Sequence, residues 1–267
     1  MIPFSDTDAQ RGSRPIVNIA LIGINALVFL YTLQLAGGGY LWGGSSPDAF
    51  VFFLKWGFIP EELSSGRSFT RLGLGFTSAD IESLVPTWAT IFSSMFIHGG
   101  LFHFAGNMAF LWVFGDNIEN RLGHVKYLIF YLAAGVAATL SHFAVDPNSQ
   151  APLVGASGAI AGVMGAYLLL YPFNRIKAIV IFFFITVVEL QAVVFLGIWF
   201  FLQIINSLGA LGLSAGVNVA FMAHVGGFIA GIVMIAGFKL LIREPIIPTR
   251  RRRNPWDYWY QSGRRPD

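Results

Sequence analysis

Three segments of this chain carry residues that could perform acyl-transfer chemistry together. Gly155-Ala156-Ser157-Gly158 sets a serine at the mouth of an uncharged run, Ala159 to Tyr171, so its hydroxyl meets the free N–H groups and positive dipole end of an apolar helix. Upstream stands His98-Gly-Gly-Leu-Phe-His103-Phe-Ala-Gly-Asn107, and downstream Ala223-His224-Val-Gly226-Gly227. A serine hydroxyl is a weak nucleophile until a base accepts its proton, and imidazole titrates in the right range for that work. His224 is the candidate base and Ser157 the candidate nucleophile. The tetrahedral intermediate also needs donors aimed at its oxyanion. His103 and Asn107, four apart, share a helix face and with the Ser157 backbone N–H could supply them. His98 either assists that hole or hydrogen-bonds the loop above it. Neither motif contains an Asp or Glu to orient an imidazole, which points to a Ser-His dyad rather than a triad.

The elements that must position these residues belong to a membrane protein. Of 267 residues, 55% are hydrophobic and only 12% charged, far more apolar than a soluble domain of this length. Zero cysteines exclude disulfides, thiolate metal sites and cysteine nucleophiles. Residues 1–15 read as a polar tail. Ile16 to Ala36 is long enough to span a bilayer and longer than the apolar core of a cleaved signal peptide. A long loop follows, about 37–87, in which Ala49-Phe-Val-Phe-Phe-Leu54 could lie at the interface. A short helix at Trp88 to Phe96 precedes the second span, Leu101 to Phe114, and the third runs from Val125 to Val145. The fourth, Ser157 to about Phe173, is short for a full crossing, as expected of a helix fed by a loop that dips below the surface. Ala178 to Gln203 is nearly continuous, interrupted at Glu189-Leu-Gln191, so a turn is expected there and a fifth helix from Ala192 to Ser207. The sixth spans Val219 to Ile242, and residues 243–267 form a basic tail. The expectation is thus an all-α polytopic membrane protein, with six helices occupying 16–242.

Arg11, Arg14, Arg121, Lys126, Arg175, Lys177, Lys239, Arg243 and the run Arg250 to Arg253 all fall on the side of the termini, whereas Lys55, Arg67 and Arg71 lie in the one long loop. Positive residues in short loops mark the cytoplasmic side, so both termini are expected there. The arginine run follows a membrane helix directly and is read as meeting anionic lipid rather than nucleic acid. In this topology helices two, four and six enter from the opposite side, and His98, His103, Asn107, Ser157 and His224 share one depth in the outer half of the bilayer, where polar groups are rare and usually functional.

Each residue also has a plainer explanation. A serine in a Gly/Ala-rich membrane helix is usually packing, and a membrane histidine can line a pore or relay protons. A transporter or channel would show inverted repeats or charges at the midplane, and neither is present. A zinc protease would carry His-Glu-x-x-His, which is absent. His124 and His142 have no partner in this scheme and are read as structural.

Jointly, His103-x-x-x-Asn107, Gly155-x-Ser157-Gly158 and Ala223-His224-x-Gly226-Gly227, in order on helices two, four and six, resemble the rhomboid family of intramembrane serine proteases, bacterial type, from about Trp88 to Ile242. The resemblance implies a six-helix fold, a Ser157/His224 dyad, a hole involving His103, Asn107 and His98, and cleavage of membrane-anchored proteins in or near their transmembrane segments, with substrate helices passing laterally by helix five. It implies no metal or organic cofactor, transmembrane protein substrates and lipids as partners, and a multi-pass place in a bacterial inner membrane. Glu119 to Leu128 also looks like the family, where acidic and basic residues form a structural network. The departure is the first loop: many bacterial relatives carry a Trp-Arg pair there, and this chain has Lys55-Trp56-Gly57-Phe58-Ile59-Pro60. Inactive relatives generally lack the serine or the histidine, and both are present here. A scaffold that binds membrane helices without cutting them is the other reading of the same fold.

Overall fold

In a computed structural model, residues 1–7, 13–42, 46–74, 77–181, 184–212 and 220–248 are described. Arg11, Val219 and the arginine run of the tail lie outside them.

The chain is mostly helical. Helix α1 (Ile16–Ala36) is followed by short helices of the first loop, α2 (Pro47–Trp56), α3 (Pro60–Ser65) and α4 (Thr87–Ser93), the last continued by a 3₁₀ turn at Ser94–Phe96. Then come α5 (Leu101–Leu122), α6 (His124–Val145), α7 (Ser157–Leu170), α8 (Ala192–Gly212) and α9 (Ala220–Leu241). Among the described residues, α1, α6 and residues 221–241 of α9 are long and apolar enough to cross a membrane, while α7 and residues 192–205 of α8 are shorter apolar helices.

The all-α expectation needs correcting at five strands. Arg175–Ile181 and Ile185–Gln191, read from sequence as part of a nearly continuous apolar stretch with a turn at Glu189, form an antiparallel hairpin, β4 and β5. Ile, Val and Thr dominate both segments, and branched side chains pack well on a pleated surface. Glu189 lies in β5 itself, paired with Arg175 at 3.0 Å. The supposed polar tail contributes β1 (Ile2–Asp6), which lies against β4 in a sheet of order β1-β4-β5. The first loop holds a second hairpin of β2 (Arg71–Leu74) and β3 (Thr77–Asp80).

Helix α7 is the centre of the molecule. Every residue from Gly158 to Tyr167 is buried, and α7 shares the main core with residues of α5, α6, α8 and α9. Its 14 residues rise only about 21 Å, against a hydrocarbon core of about 30 Å. Its contact with α9 is made backbone to backbone. A Cβ at Gly227 would overlap the Gly158 carbonyl oxygen, and one at Gly231 the Gly162 carbonyl oxygen. One at Gly158 would come within 2.6 Å of the Ala138 Cβ on α6. Small residues let membrane helices approach this closely, and dispersion across the seam replaces the hydrophobic force that lipid does not supply.

At the opposite end from Ser157, the buried Glu119 carboxylate accepts the N–H groups of Val17 (2.9 Å) and Asn18 (2.7 Å). A side chain of α5 thus caps the N-terminus of α1, where four donors have no partner within the helix. Glu119 also meets His124, and Tyr127 donates to Asn18 at 2.7 Å. Glu119 and Arg121, read from sequence as part of a short connection, lie in the last turn of α5; Arg121 pairs with Glu244, and His124, which had no partner in the sequence reading, has the Glu119 carboxylate.

Replacing Gly231 by alanine should force α9 off α7. We expect a loss of about 1–3 kcal/mol, read as a lower thermal midpoint in detergent, whereas Gly23→Ala on α1, where an added Cβ meets nothing, should leave it unchanged.

Candidate active site

Ser157 is the first residue of α7 and His224 lies in the first turns of α9, so the glycine seam between these helices brings the two side chains together. The Ser157 hydroxyl donates to His224 Nε2 at 2.7 Å. On the other side of the ring, His224 Nδ1 stands 2.8 Å from Gln203 Oε1. An amide oxygen can only accept, so Nδ1 carries the proton and Nε2 presents its lone pair to the serine. That is the tautomer a general base requires. Trp199, one turn before Gln203 on α8, covers the imidazole with ring centroids 6.0 Å apart and an interplanar angle of 42°.

The turn before Ser157 has a conformation that its sequence explains. Gly155 sits at φ +126°, which L side chains rarely adopt, and its N–H donates to the Ser94 carbonyl at 2.8 Å. A Cβ there would also lie 2.9 Å from His103 Nε2. The ring of His103 therefore lies directly over the Gly155 backbone. Gly99 N–H donates to His103 Nδ1 at 3.3 Å, so in the neutral ring Nε2 carries the proton and points a donor toward the turn.

Asn107, one turn further along α5, is 7% exposed, and its amide nitrogen has no hydrogen-bond partner among the described residues. A buried donor without a partner costs on the order of 1–3 kcal/mol, so the Asn107 amide, one turn from His103, is a donor free to take an acceptor from outside the described residues. His98 is fully buried, its ring edge-on to His103 at 5.1 Å, and its carbonyl accepts the Tyr40 hydroxyl at 2.8 Å. It packs under His103 and anchors the first loop. A cavity of about 20 Å³ adjoins Ser157, lined by Ser94, Thr139, Gly155 and Ala223. That volume is enough to accommodate one water molecule.

The first loop, which departs from the family pattern, is fastened to this turn. Phe58 and Leu153 exchange backbone hydrogen bonds of 3.1 and 2.8 Å, and Ser93 donates to the Trp56 carbonyl at 2.6 Å. Phe58 and Ile59 are wholly buried. The Lys55 to Pro60 segment thus buttresses the strand-like run that leads into Gly155.

All five residues singled out by type and spacing gather at one end of the bundle. Gln203 was not among them. One glutamine in an apolar helix, four residues from a tryptophan and on the same face, is the only sign of it in the sequence. Among the described residues, no three His, Asp or Glu side chains gather as a metal ion would need.

This is a helical membrane protein with a serine and a histidine hydrogen-bonded at the start of a buried helix. Residues 86–240 match the Rhomboid domain. The chain is 30% identical over 186 residues to "Rhomboid protease GluP" of Bacillus subtilis, covering 68% of this chain and 32% of that one. It is 33% identical over 165 residues to the mitochondrial "Presenilin-associated rhomboid-like protein" of Bos taurus, covering 58% and 40%. With "RHOMBOID-like protein 5" of Arabidopsis thaliana it shares 29% over 193 residues, covering 69% and 54%. The matched part spans between a third and just over half of these relatives' own lengths. The chain belongs to the rhomboid family.

Gly155→Ala should place a methyl against His103 and force an L residue into a φ that costs about 1–3 kcal/mol. The expected outcome is loss of serine labelling by a fluorophosphonate, with a thermal midpoint lowered only by the strain of that turn.

Proposed function

We propose that this chain is an intramembrane serine endopeptidase that cleaves membrane-anchored proteins in or near their transmembrane segments. The observation that carries this reading is the hydrogen bond from the Ser157 hydroxyl to His224 Nε2, 2.7 Å between residues 67 apart in sequence. Ser157 acts as nucleophile. Its proton passes to His224 as Oγ attacks the scissile carbonyl carbon, and the oxyanion that forms is held by the Ser157 N–H, His103 Nε2–H and the Asn107 amide, with His98 supporting His103. His224 then returns the proton to the leaving amine. Water, deprotonated in turn by His224, attacks the acyl-enzyme and releases the second product. The first turn of α7 adds unpaired N–H groups and the positive end of its dipole at the same point.

In this proposal α1, α5, α6, α7, α8 and α9 cross the bilayer, the basic segments hold both termini in the cytoplasm of a bacterial cell, and the site opens below the outer surface of its inner membrane. The shortness of α7 supports that depth. Substrates are transmembrane proteins, and neither metal nor organic cofactor takes part. The names of the matched relatives, one of them a protease, favour this reading over a non-cutting scaffold.

Ser157→Ala should remain folded in detergent yet lose both cleavage of a model type I membrane protein and fluorophosphonate labelling. His224→Ala should lose as much, and the double variant should be no worse than either, because the pair acts as one unit. Wild-type protein that neither cuts nor labels would return the chain to the scaffold reading. Chelators should leave cleavage unchanged.

Asn107→Ala keeps nucleophile and base and removes one oxyanion donor. Turnover should fall by about 10- to 1,000-fold while labelling remains measurable and the melting midpoint is retained. Unchanged turnover, or activity lost in step with unfolding, would remove Asn107 from the hole.

A further inference from the structure

We propose that Gln203 is the third member of this group, a positioning residue that fixes the tautomer and plane of the His224 imidazole; the proposal rests on the Ser157/His224 reading. A neutral imidazole has two tautomers, and only the one protonated at Nδ1 leaves Nε2 free to take the serine proton. The Gln203 amide oxygen, 2.8 Å from Nδ1, selects that tautomer because it cannot donate. Among the described residues nothing on α9 does so; the other groups around the ring are Trp199 and Phe221, with centroids at 6.0 and 6.4 Å, and neither offers an acceptor to Nδ1. Among the described residues the ionisable and hydroxyl side chains facing His224 are His103 on α5 and Ser157 on α7, and both lie on the reacting side.

A neutral acceptor suits this depth. A carboxylate in the same place would stabilise the imidazolium more strongly but would itself have to be desolvated, at several kcal/mol. An amide supplies the alignment and part of the electrostatic support without a buried charge. During reaction the serine proton moves to Nε2, the Nδ1–H bond to Gln203 shortens as the ring becomes cationic, and the amide stays neutral throughout. Trp199 and Gln203, four residues apart, present one face of α8 to the base. The base is therefore seated on α9 but aligned by α8.

The test measures peptide turnover and fluorophosphonate labelling across pH for wild type, Gln203→Leu, Gln203→Glu and Ser157→Ala, each rate normalised to folded protein. Gln203→Leu should lower kcat by roughly 10- to 100-fold with KM little changed, well short of the roughly 10⁴-fold loss seen when a triad orienter forces the wrong tautomer. Gln203→Glu should restore turnover to near wild type. It should also move the acidic limb of the kcat/KM profile upward by about 1–3 pH units, because a carboxylate favours the protonated ring, and the ring must be neutral to act. Leu and Glu variants that both match wild type in rate and pH profile would overturn the role. So would variants equally slowed, with an unmoved profile, since that is the mark of packing alone. Persistent labelling of Ser157→Ala would instead overturn the underlying reading of the site, so the two failures are distinguishable.

Discussion

The close approach of α7 and α9 is the constraint on which the rest of the molecule depends. A 2.7 Å hydrogen bond between short side chains on two helices requires their backbones to lie nearly in contact. The glycines make that possible because each sits where the facing strand of backbone presents a carbonyl oxygen: Gly227 against Gly158, Gly231 against Gly162, and Gly165 against Phe228. The same geometry accounts for Ala138 and Ala134 on α6, which close the third side of the seam against Gly158 and Gly162. Larger residues at any of these positions would open the gap between Ser157 and His224 before they disturbed either side chain directly. The site is therefore built from backbone shape first and from functional groups second.

The seam fixes Ser157 and His224, and hydrogen bonds from loops hold the turn before Ser157 and the backbone of His98. Ser94 O holds Gly155, Tyr40 holds the His98 carbonyl, and the Phe58–Leu153 pair braces the run before the nucleophile. These contacts join segments more than 50 residues apart, so the first loop helps hold the turn that carries Ser157. At the opposite end, the Glu119 carboxylate ties α1 to α5. Removing that carboxylate would leave two N–H groups at the start of α1 without their acceptor, at about 1–3 kcal/mol for each that stays buried.

Much of this was legible in the sequence, for identifiable reasons. Helices α1 and α6 announce themselves by length and apolarity, and the early stop of α7 by Pro172 and the polar residues after it. The proximity of Ser157 to His224 followed from the glycine-rich faces and from alternation of helix direction. The β4–β5 hairpin did not follow, because a run such as Ile176 to Ile181 has the hydropathy of a membrane helix, and its branched side chains are tolerated in either form. β1 was illegible for a different reason: residues 2–6 become a strand only by pairing with residues 170 or more positions away. The partner of Glu119 was hidden in the same way, since a carboxylate that caps another helix looks, in sequence, like a member of the nearest charge cluster.

Gln203 shows where reading by motif stops. Ser157, His224 and the His103/Asn107 pair stand in short signatures because each lies in the first turns of its helix, whereas Gln203 sits mid-helix on α8 and is recognised only by the distance of its amide oxygen to His224 Nδ1. That division has a physical consequence. Helices α7 and α9 are locked by backbone contacts that cannot loosen without large loss of packing, but α8 meets them through side chains, Trp199 and Phe200 stacking on Phe228 and Gln203 reaching His224. Side-chain contacts can be re-formed after a small displacement, while a glycine seam cannot. The Ser157–His224 pair is thus held by backbone packing between α7 and α9, whereas the contact of Gln203 to the ring rests on side chains of α8 alone.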